Sequence, residues 1–254
     1  METVSLLCPI GETVCPQVFQ GALAAVGYAS RNDVAVEFVG VTERTLLDTA
    51  RNLLVKELLK TKSEWSFWMD SDIILPKEII VMLLEPAKKK NVKMVSGVYY
   101  QRGGRYMPAC WVRDPKLESG KPVKYGNQEE YETNPHLGLF AIPGREAKDP
   151  FLLNTAGMGC CLIHRNVFES VEYPWYKFEF KKCSEDFYFF VKAKEKGFEL
   201  WADPRPILGH VGYAKIVTRE DCYAEVEAKK VGLEAIKPQA DEKTPKDVVG
   251  GIEG

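Results

Sequence analysis

The first hundred residues alternate short apolar runs with amphipathic stretches, and that alternation leaves few folds open. Residues 4–8 form an apolar run closed by Pro9 and Gly11, the pattern of a buried strand entering a loop. Residues 16–29 place Val18, Ala22, Ala25 and Val26 at helical spacing. Residues 34–41 are rich in β-branched side chains and read as a second strand. The stretch 42–60 predicts an amphipathic helix with Leu46, Leu47, Ala50, Leu53, Leu54 and Leu58 on its apolar face. A third strand at 65–69 ends at Asp70. A helix at 77–90 follows, with Pro76 suited to its first turn, and then a strand at 92–100. Strands joined through helices pair in parallel. The predicted class is therefore α/β, a three-layer α/β/α sandwich with a mostly parallel central sheet and a Rossmann-like N-terminal half. Ligands of such sheets gather at the carboxyl ends of the strands, here the loops after Cys8, after Val41 and at Asp70.

Residues 101–150 break the rhythm. They are rich in Gly, Pro, charge and aromatics, and predict long loops and a hairpin over the cleft. Strand signals return at 157–164 and 198–202. Ser184 is placed to cap a helix running to about Lys196 and stopped by Gly197. Residues 237–254 hold four apolar residues, two prolines and three glycines, too little apolar surface to bury, and predict a flexible tail. The expected layout is one catalytic domain over 1–236. Within it, 1–100 is a nucleotide-binding half, 101–150 a covering segment and 151–236 an acceptor-side half.

Composition narrows the function. With 34 Lys+Arg against 36 Asp+Glu the net charge is −2, which disfavours a generic polyanion binder. Basic loop residues such as Arg102, Arg105 and Arg113 leave room for a locally held nucleic-acid acceptor. No apolar run reaches the ~20 residues of a membrane span, and residues 1–9 lack a secretory signal pattern. The seven cysteines (Cys8, Cys15, Cys110, Cys160, Cys161, Cys183, Cys222) include no C-x-x-C pair and read as reduced thiols. A cytoplasmic location is expected.

Four features could carry chemistry. In W-S-F-W-M-D-S-D an apolar strand delivers Asp70 and Asp72 to solvent. Two carboxylates so close are stable together around a hard cation, although the same pair also suits a solvated loop. Ser184-Glu185-Asp186 opens a helix, where acids suit the macrodipole or could serve as a base. His210 stands between glycines in L-G-H-V-G, as a structural histidine or a metal ligand. Arg51, followed by Asn52, falls between Leu58 and Val55 on a wheel of roughly 100° per residue, inside the apolar stripe. A charge there snorkels to the surface or is paired with a carboxylate near Asp70 or with a phosphate.

Their order is more specific than any one of them. A-R-N at 50–52, D-S-D at 70–72, S-G-V-Y-Y at 96–100, A-G-M-G-C-C-L-I at 156–163, S-E-D-F-Y-F at 184–189 and the trailing L-G-H resemble the GT-A glycosyltransferases. The resemblance is especially to the family-two-like group of bacteria and phages, over about residues 3–213. The resemblance implies a GT-A-like fold and transfer of a sugar from a nucleotide-diphosphate sugar to an acceptor hydroxyl, with inversion. It implies that Asp70, Asp72 and His210 hold Mn2+ or Mg2+. Pro9, Ile10, Gly11, Arg51, Asn52, Asp70, Ser71 and Gly97 would contact the nucleotide sugar. Asp186 would be the base, with Glu185 orienting a hydroxyl. The acceptor stays open among a glycan, a protein and a modified nucleic acid. The loop C-P-I-G-E-T-V-C-P departs from the group's Pro-x-x-Asn pattern.

Two other readings compete. In a haloacid-dehalogenase-like phosphotransferase Asp70 would be the nucleophile, Asp72 the acid/base, and Glu185 and Asp186 metal ligands. That motif usually ends the first strand, whereas here it follows two βα units. The other reading is a nucleotide-sugar-binding protein without turnover.

Overall fold

The computed structural model of the chain describes residues 1–11, 13–41, 45–102, 106–113, 124–125, 128–129, 139–141, 147–179, 183–212 and 216–218. The first half runs β1 (Glu2–Pro9), α1 (Pro16–Ser30), β2 (Val34–Val41), α2 (Leu47–Lys60), β3 (Trp65–Met69), β4 (Ile73–Ile74), α3 (Ile79–Lys89) and β5 (Met94–Gly97). Five short strands follow: β6 (Cys110–Arg113), β7 (Lys124–Tyr125), β8 (Gln128–Glu129), β9 (Leu139–Ala141) and β10 (Phe151–Leu153). The remainder is β11 (Thr155–Ala156), β12 (Cys160–His164), α4 (Arg165–Ser170), α5 (Glu185–Glu195), β13 (Leu200–Asp203), β14 (Gly209–Val211) and β15 (Ile216–Val217).

Seven strands form the central sheet in the order β10-β13-β5-β12-β3-β1-β2. Strand β1 pairs in parallel with β2 and β3, placing Leu7 beside Trp68, and β13 pairs in parallel with β5. The crossover from β3 through α3 to β5 is parallel, as the alternation predicts. Strand β12, however, lies between them and runs antiparallel to both, with Cys160 opposite Met69. Strand β10 runs antiparallel at the edge.

Alternate residues of each strand face opposite layers. Leu7, Trp68, Met94 and Cys161 pack with Leu54 and Leu58 of α2, Phe168 of α4 and Phe189 of α5. Leu6, Phe67, Val95 and Cys160 pack with Val18 and Ala25 of α1 and Ile80 and Leu83 of α3. The molecule is thus a three-layer sandwich of the expected class. All five residues of β3 are buried, because it is central and covered on both faces.

The helices depart from the sequence pattern at their ends. Helix α2 starts at Leu47; residues 42–44 of the expected helix lie outside the described set. Leu46, Leu47 and Leu53 are exposed rather than buried. The first two stand at the helix entrance, and Leu53 points roughly 120° away from the stripe centred between Leu54 and Leu58. Helix α5 ends as expected, with Gly197 at φ +86°, a conformation that favours glycine. The last carbonyls of α2 are satisfied from another element. The Arg165 guanidinium donates to Leu58 O (3.2 Å), Leu59 O (2.7 Å) and Thr61 O (2.8 Å).

Between β5 and β12 the expected hairpin is present as β7–β8, and β6 joins β9 and β11 in a small antiparallel sheet. Arg105 and the 237–254 tail lie outside the described residues. Cys8, Cys15, Cys110, Cys160, Cys161 and Cys183 are free thiols, and Cys222 is outside the described set. Burial, with help from Asp70, pushes the Cys8 thiol up to about 12.

Candidate active site

Asp70 leaves the carboxyl end of β3. Its N–H donates to Gly159 O at 3.2 Å, and its own carbonyl accepts from Ile73 N at 3.2 Å, closing a turn over Ser71 and Asp72. Strand β4 then pairs with β14, setting His210 opposite Ile73, while Val211 N donates to Asp72 O at 2.8 Å. This pairing carries a residue 138 positions further along the chain to the Asp72 carboxylate. His210 Nε2 lies 3.5 Å from Asp72 Oδ2, and Nδ1 lies 2.6 Å from Tyr100 O. A carbonyl only accepts, so Nδ1 donates its proton to Tyr100 O, and Nε2 is the ring nitrogen that faces the carboxylate. Arg102 Nη1 approaches the same Oδ2 at 2.6 Å. Burial would raise the Asp72 carboxyl, but His210 and the Arg102 guanidinium outweigh it and hold it below its ordinary value.

Arg51 lies 1% exposed inside the apolar stripe of α2. Its Nη2 donates to Asp70 Oδ1 at 3.0 Å and its Nε to Glu185 Oε1 at 3.2 Å. The guanidinium carbon sits 6.0 Å from the centre of the Tyr176 ring, and Nη1 is buried without a partner. Burial works against the charge, but Asp70 and Glu185 more than compensate and raise the guanidinium pKa. Arg51 does not snorkel to the surface: it pairs with the carboxylate of Asp70 itself, with Glu185 as a second partner.

Asp186 follows Glu185 in the first turn of α5. Its Oδ1 accepts from the Ser184 hydroxyl and, at 2.8 Å, from Phe187 N. Ser184 thus stands at the expected cap position but spends its hydroxyl on Asp186 instead of a backbone N–H. Partial burial and the Glu185 charge push Asp186 up to about 6, against weaker lowering by Ser184 and Arg51.

Other expected contacts have different jobs. Asn52 is fully engaged with protein. Its amide donates to Asp48 O (2.8 Å) and Tyr176 O (2.6 Å), and its oxygen accepts from Trp175 N (3.0 Å) and Tyr176 N (3.2 Å). It fixes the chain that lays Tyr176 against Arg51 and has no polar atom left for a nucleotide. Gly97 lies in the core: a Cβ there would meet Cys160 Sγ at 2.8 Å and Leu208 Cδ1 at 3.0 Å, so its small size serves packing rather than a sugar. Pro9, Ile10 and Gly11 do lie at the carboxyl end of β1, with open space around the Gly11 Cβ position. Ser71 is half-buried at the tip of the D-x-D turn.

Asp70, Asp72 and His210 do not assemble as three ligands. Among the described residues no three His, Cys, Asp or Glu side chains are grouped to hold an ion. The buried Arg51 draws the Asp70 carboxylate to itself, which leaves Asp72 and His210 as a facing pair. A carboxylate oxygen and an imidazole nitrogen 3.5 Å apart are two donor atoms of the kinds a divalent ion takes.

Three contributors escaped the sequence reading. Tyr99 accepts the Gly159 N–H at 3.2 Å, and a Cβ on Gly157 would stand 2.0 Å from its hydroxyl. The G-M-G spacing was the signal that something packs this closely. Tyr176 supports Arg51, with no local signal. Trp111 of β6 meets Phe187 edge-on at 4.6 Å, tying the small sheet to the start of α5.

No family model and no curated protein matches the sequence. Solved structures do match. The crystal structure of A197 from STIV aligns with a TM-score of 0.56 at 18% identity, over 87% of this chain and 92% of that one. The crystal structure of GalNAc-T7 with UDP, GalNAc and Mn2+ aligns with a TM-score of 0.52 at 12% identity, over 90% of this chain. The match takes in 48% of that protein, so the chain spans about half its length. The fold is GT-A-like: a seven-stranded, largely parallel sheet between helices. Among the described residues no helix is long and apolar enough to cross a membrane.

Proposed function

We propose that the protein is a metal-dependent glycosyltransferase that moves a sugar from a nucleotide-diphosphate sugar to an acceptor hydroxyl with inversion. The observation that carries this reading is the double ion pair of Arg51, which joins the D-x-D turn to the acidic start of α5. Two acidic pairs with different environments then border one region. The likeness in fold to GalNAc-T7 with UDP, GalNAc and Mn2+ supports it.

Asp72 and His210 would hold the ion, and the imidazole nitrogen favours Mn2+ over Mg2+. Held there, the ion would supply Lewis-acid neutralisation of a leaving diphosphate. Asp70 stays with Arg51 and sets the turn that aims Asp72. Pro9, Ile10 and Gly11 would face the nucleoside, with Ser71 at the phosphate side. Arg51, buried between Asp70 and Glu185, would position both acids. Asp186 takes the acceptor proton at its carboxylate, as a base whose affinity for protons is raised toward neutrality. Glu185, held at one oxygen by Arg51, orients a hydroxyl with the other.

A thermal-shift screen of UDP-, GDP-, ADP- and dTDP-sugars, each with and without Mn2+ and with a CMP-sugar as monophosphate control, tests the reading. At a hundred times Kd a ligand stabilises by about 2.7 kcal/mol, a shift of roughly 5–11 °C for a chain this size. One diphosphate sugar should raise the melting temperature only with Mn2+, and Asp72→Ala should abolish that shift. No metal-dependent shift with any of them would sink the assignment.

A further inference from the structure

Two arginines touch the D-x-D turn, and they are held very differently. Arg51 is buried and divided between Asp70 and Glu185. The Arg102 side chain is 48% exposed, and among the described residues it pairs with Asp72 Oδ2 at 2.6 Å. The chain leading to it is anchored: Tyr100 bridges Pro108, and Gln101 N donates to Met107 O at 2.8 Å. A fixed base therefore carries a long side chain that is free to turn into solvent. Its guanidinium also rests on the oxygen that faces His210 Nε2 at 3.5 Å. Any cation held between Asp72 and His210 has to share or take that oxygen. A divalent ion there also repels the guanidinium at short range, while a diphosphate attracts it.

We propose that Arg102 is a displaceable internal counter-ion: it competes with the divalent metal for Asp72 Oδ2 and, once displaced, pairs with the donor diphosphate. The inference rests on the reading of Asp72 and His210 as metal holders. Without a ligand, Arg102 neutralises Asp72 and keeps metal affinity low. Metal and diphosphate together release it, because the diphosphate offers the guanidinium a new partner. Each then tightens the other by the same factor, as linkage requires. A charge pair that is half exposed is displaced at modest cost, unlike the Arg51 pairs.

Mn2+ binding to the full chain, followed by loss of the free-ion electron paramagnetic resonance signal, tests this without an activity assay. Without nucleotide, Arg102→Ala should bind Mn2+ about five- to tenfold more tightly than wild type, and Arg102→Lys should fall between them. Asp72→Ala should abolish binding in either background. With UDP, GDP, ADP and dTDP added in turn, the best of the four should tighten Mn2+ binding more in wild type than in Arg102→Ala. Matching circular-dichroism melts establish that the variants fold. Equal or weaker Mn2+ binding by Arg102→Ala, with binding still lost on Asp72→Ala, overturns the competition while leaving the metal site standing. Equal tightening by all four nucleotides in both backgrounds overturns the transfer to the diphosphate. Absence of Asp72-dependent Mn2+ binding in every form overturns the metal reading and this inference with it.

Discussion

The D-x-D turn and the first turn of α5 each present two carboxylates, and in each Arg51 takes one. It takes Asp70 from the first pair and Glu185 from the second. The acids left over diverge. Asp72 lies against Arg102 and His210, and its carboxyl is held below its ordinary value. Among the described residues Asp186 accepts from neutral donors, Ser184 and the Phe187 N–H, and burial beside Glu185 pushes it up to about 6. The same residue type thus becomes a lasting anion at one place and a proton acceptor at the other. His210 and Arg102 hold Asp72 down, while burial and the Glu185 anion push Asp186 up. A helix N-terminus alone would favour the charged form of Asp186, so burial and the Glu185 charge outweigh the dipole.

The sharpest way to break this contrast is to remove the shared arginine. Arg51→Met leaves Asp70 and Glu185 without their partner in a buried setting. It should cost about 3–5 kcal/mol in urea unfolding at pH 7, the range for breaking one side of a buried ion pair. A cost below about 1 kcal/mol would mean that Arg51 does not join the two pairs. Next in size, Asp186→Asn should lower kcat by about 10²–10⁴-fold, the usual contribution of a general base, while keeping the Mn2+-dependent thermal shift with donor. Normal turnover would place the base elsewhere.

A smaller effect is the pH profile. Asp186 must be ionised to accept a proton, so transfer should fall about tenfold per pH unit below pH about 6 and level off above it. A rate independent of pH between 5 and 7 would exclude Asp186 as the titrating group. The smallest effect is on stability, and its sign follows from linkage. The folded-state value, about 6, lies above the ordinary one. The associated stability is therefore present below the ordinary value and lost as pH rises through about 6. Asp186→Asn should melt a few degrees above wild type at pH 8, and close to it at pH 4.

The parts of the fold written in local pattern could be read from the chain. Strand β3 falls at 65–69 as expected, since a run of five apolar or small residues before Asp70 suits only a buried strand. Arg51 was also legible, because a charge inside an apolar stripe demands a partner. What escaped depends on distant pairing. The insertion of β12 between β3 and β5 has no local signature, since its neighbours lie on both sides of a long intervening segment. Asn52 and Gly97 looked like ligand contacts because the partners that occupy them, Tyr176 and Cys160, are far away in sequence. Asp70 looked like a metal ligand for the same reason: the D-x-D spacing is visible, but the direction of each carboxylate is set by Arg51 and Arg102.

The arginine clamp at the end of α2 has a consequence for the site. From Arg51, the helix runs about 12 Å to Leu59, where Arg165 grips its carbonyls. Arg165 directly follows β12, and β12 begins beside Gly159, whose carbonyl accepts the Asp70 amide. Asp70 then returns to Arg51. These links form a closed ring, braced like a frame with no free corner, and a displacement at one joint has to be shared by the others. Amide exchange at Asp70 should therefore accelerate when Arg165 is cut back, although the two residues sit at opposite ends of β12.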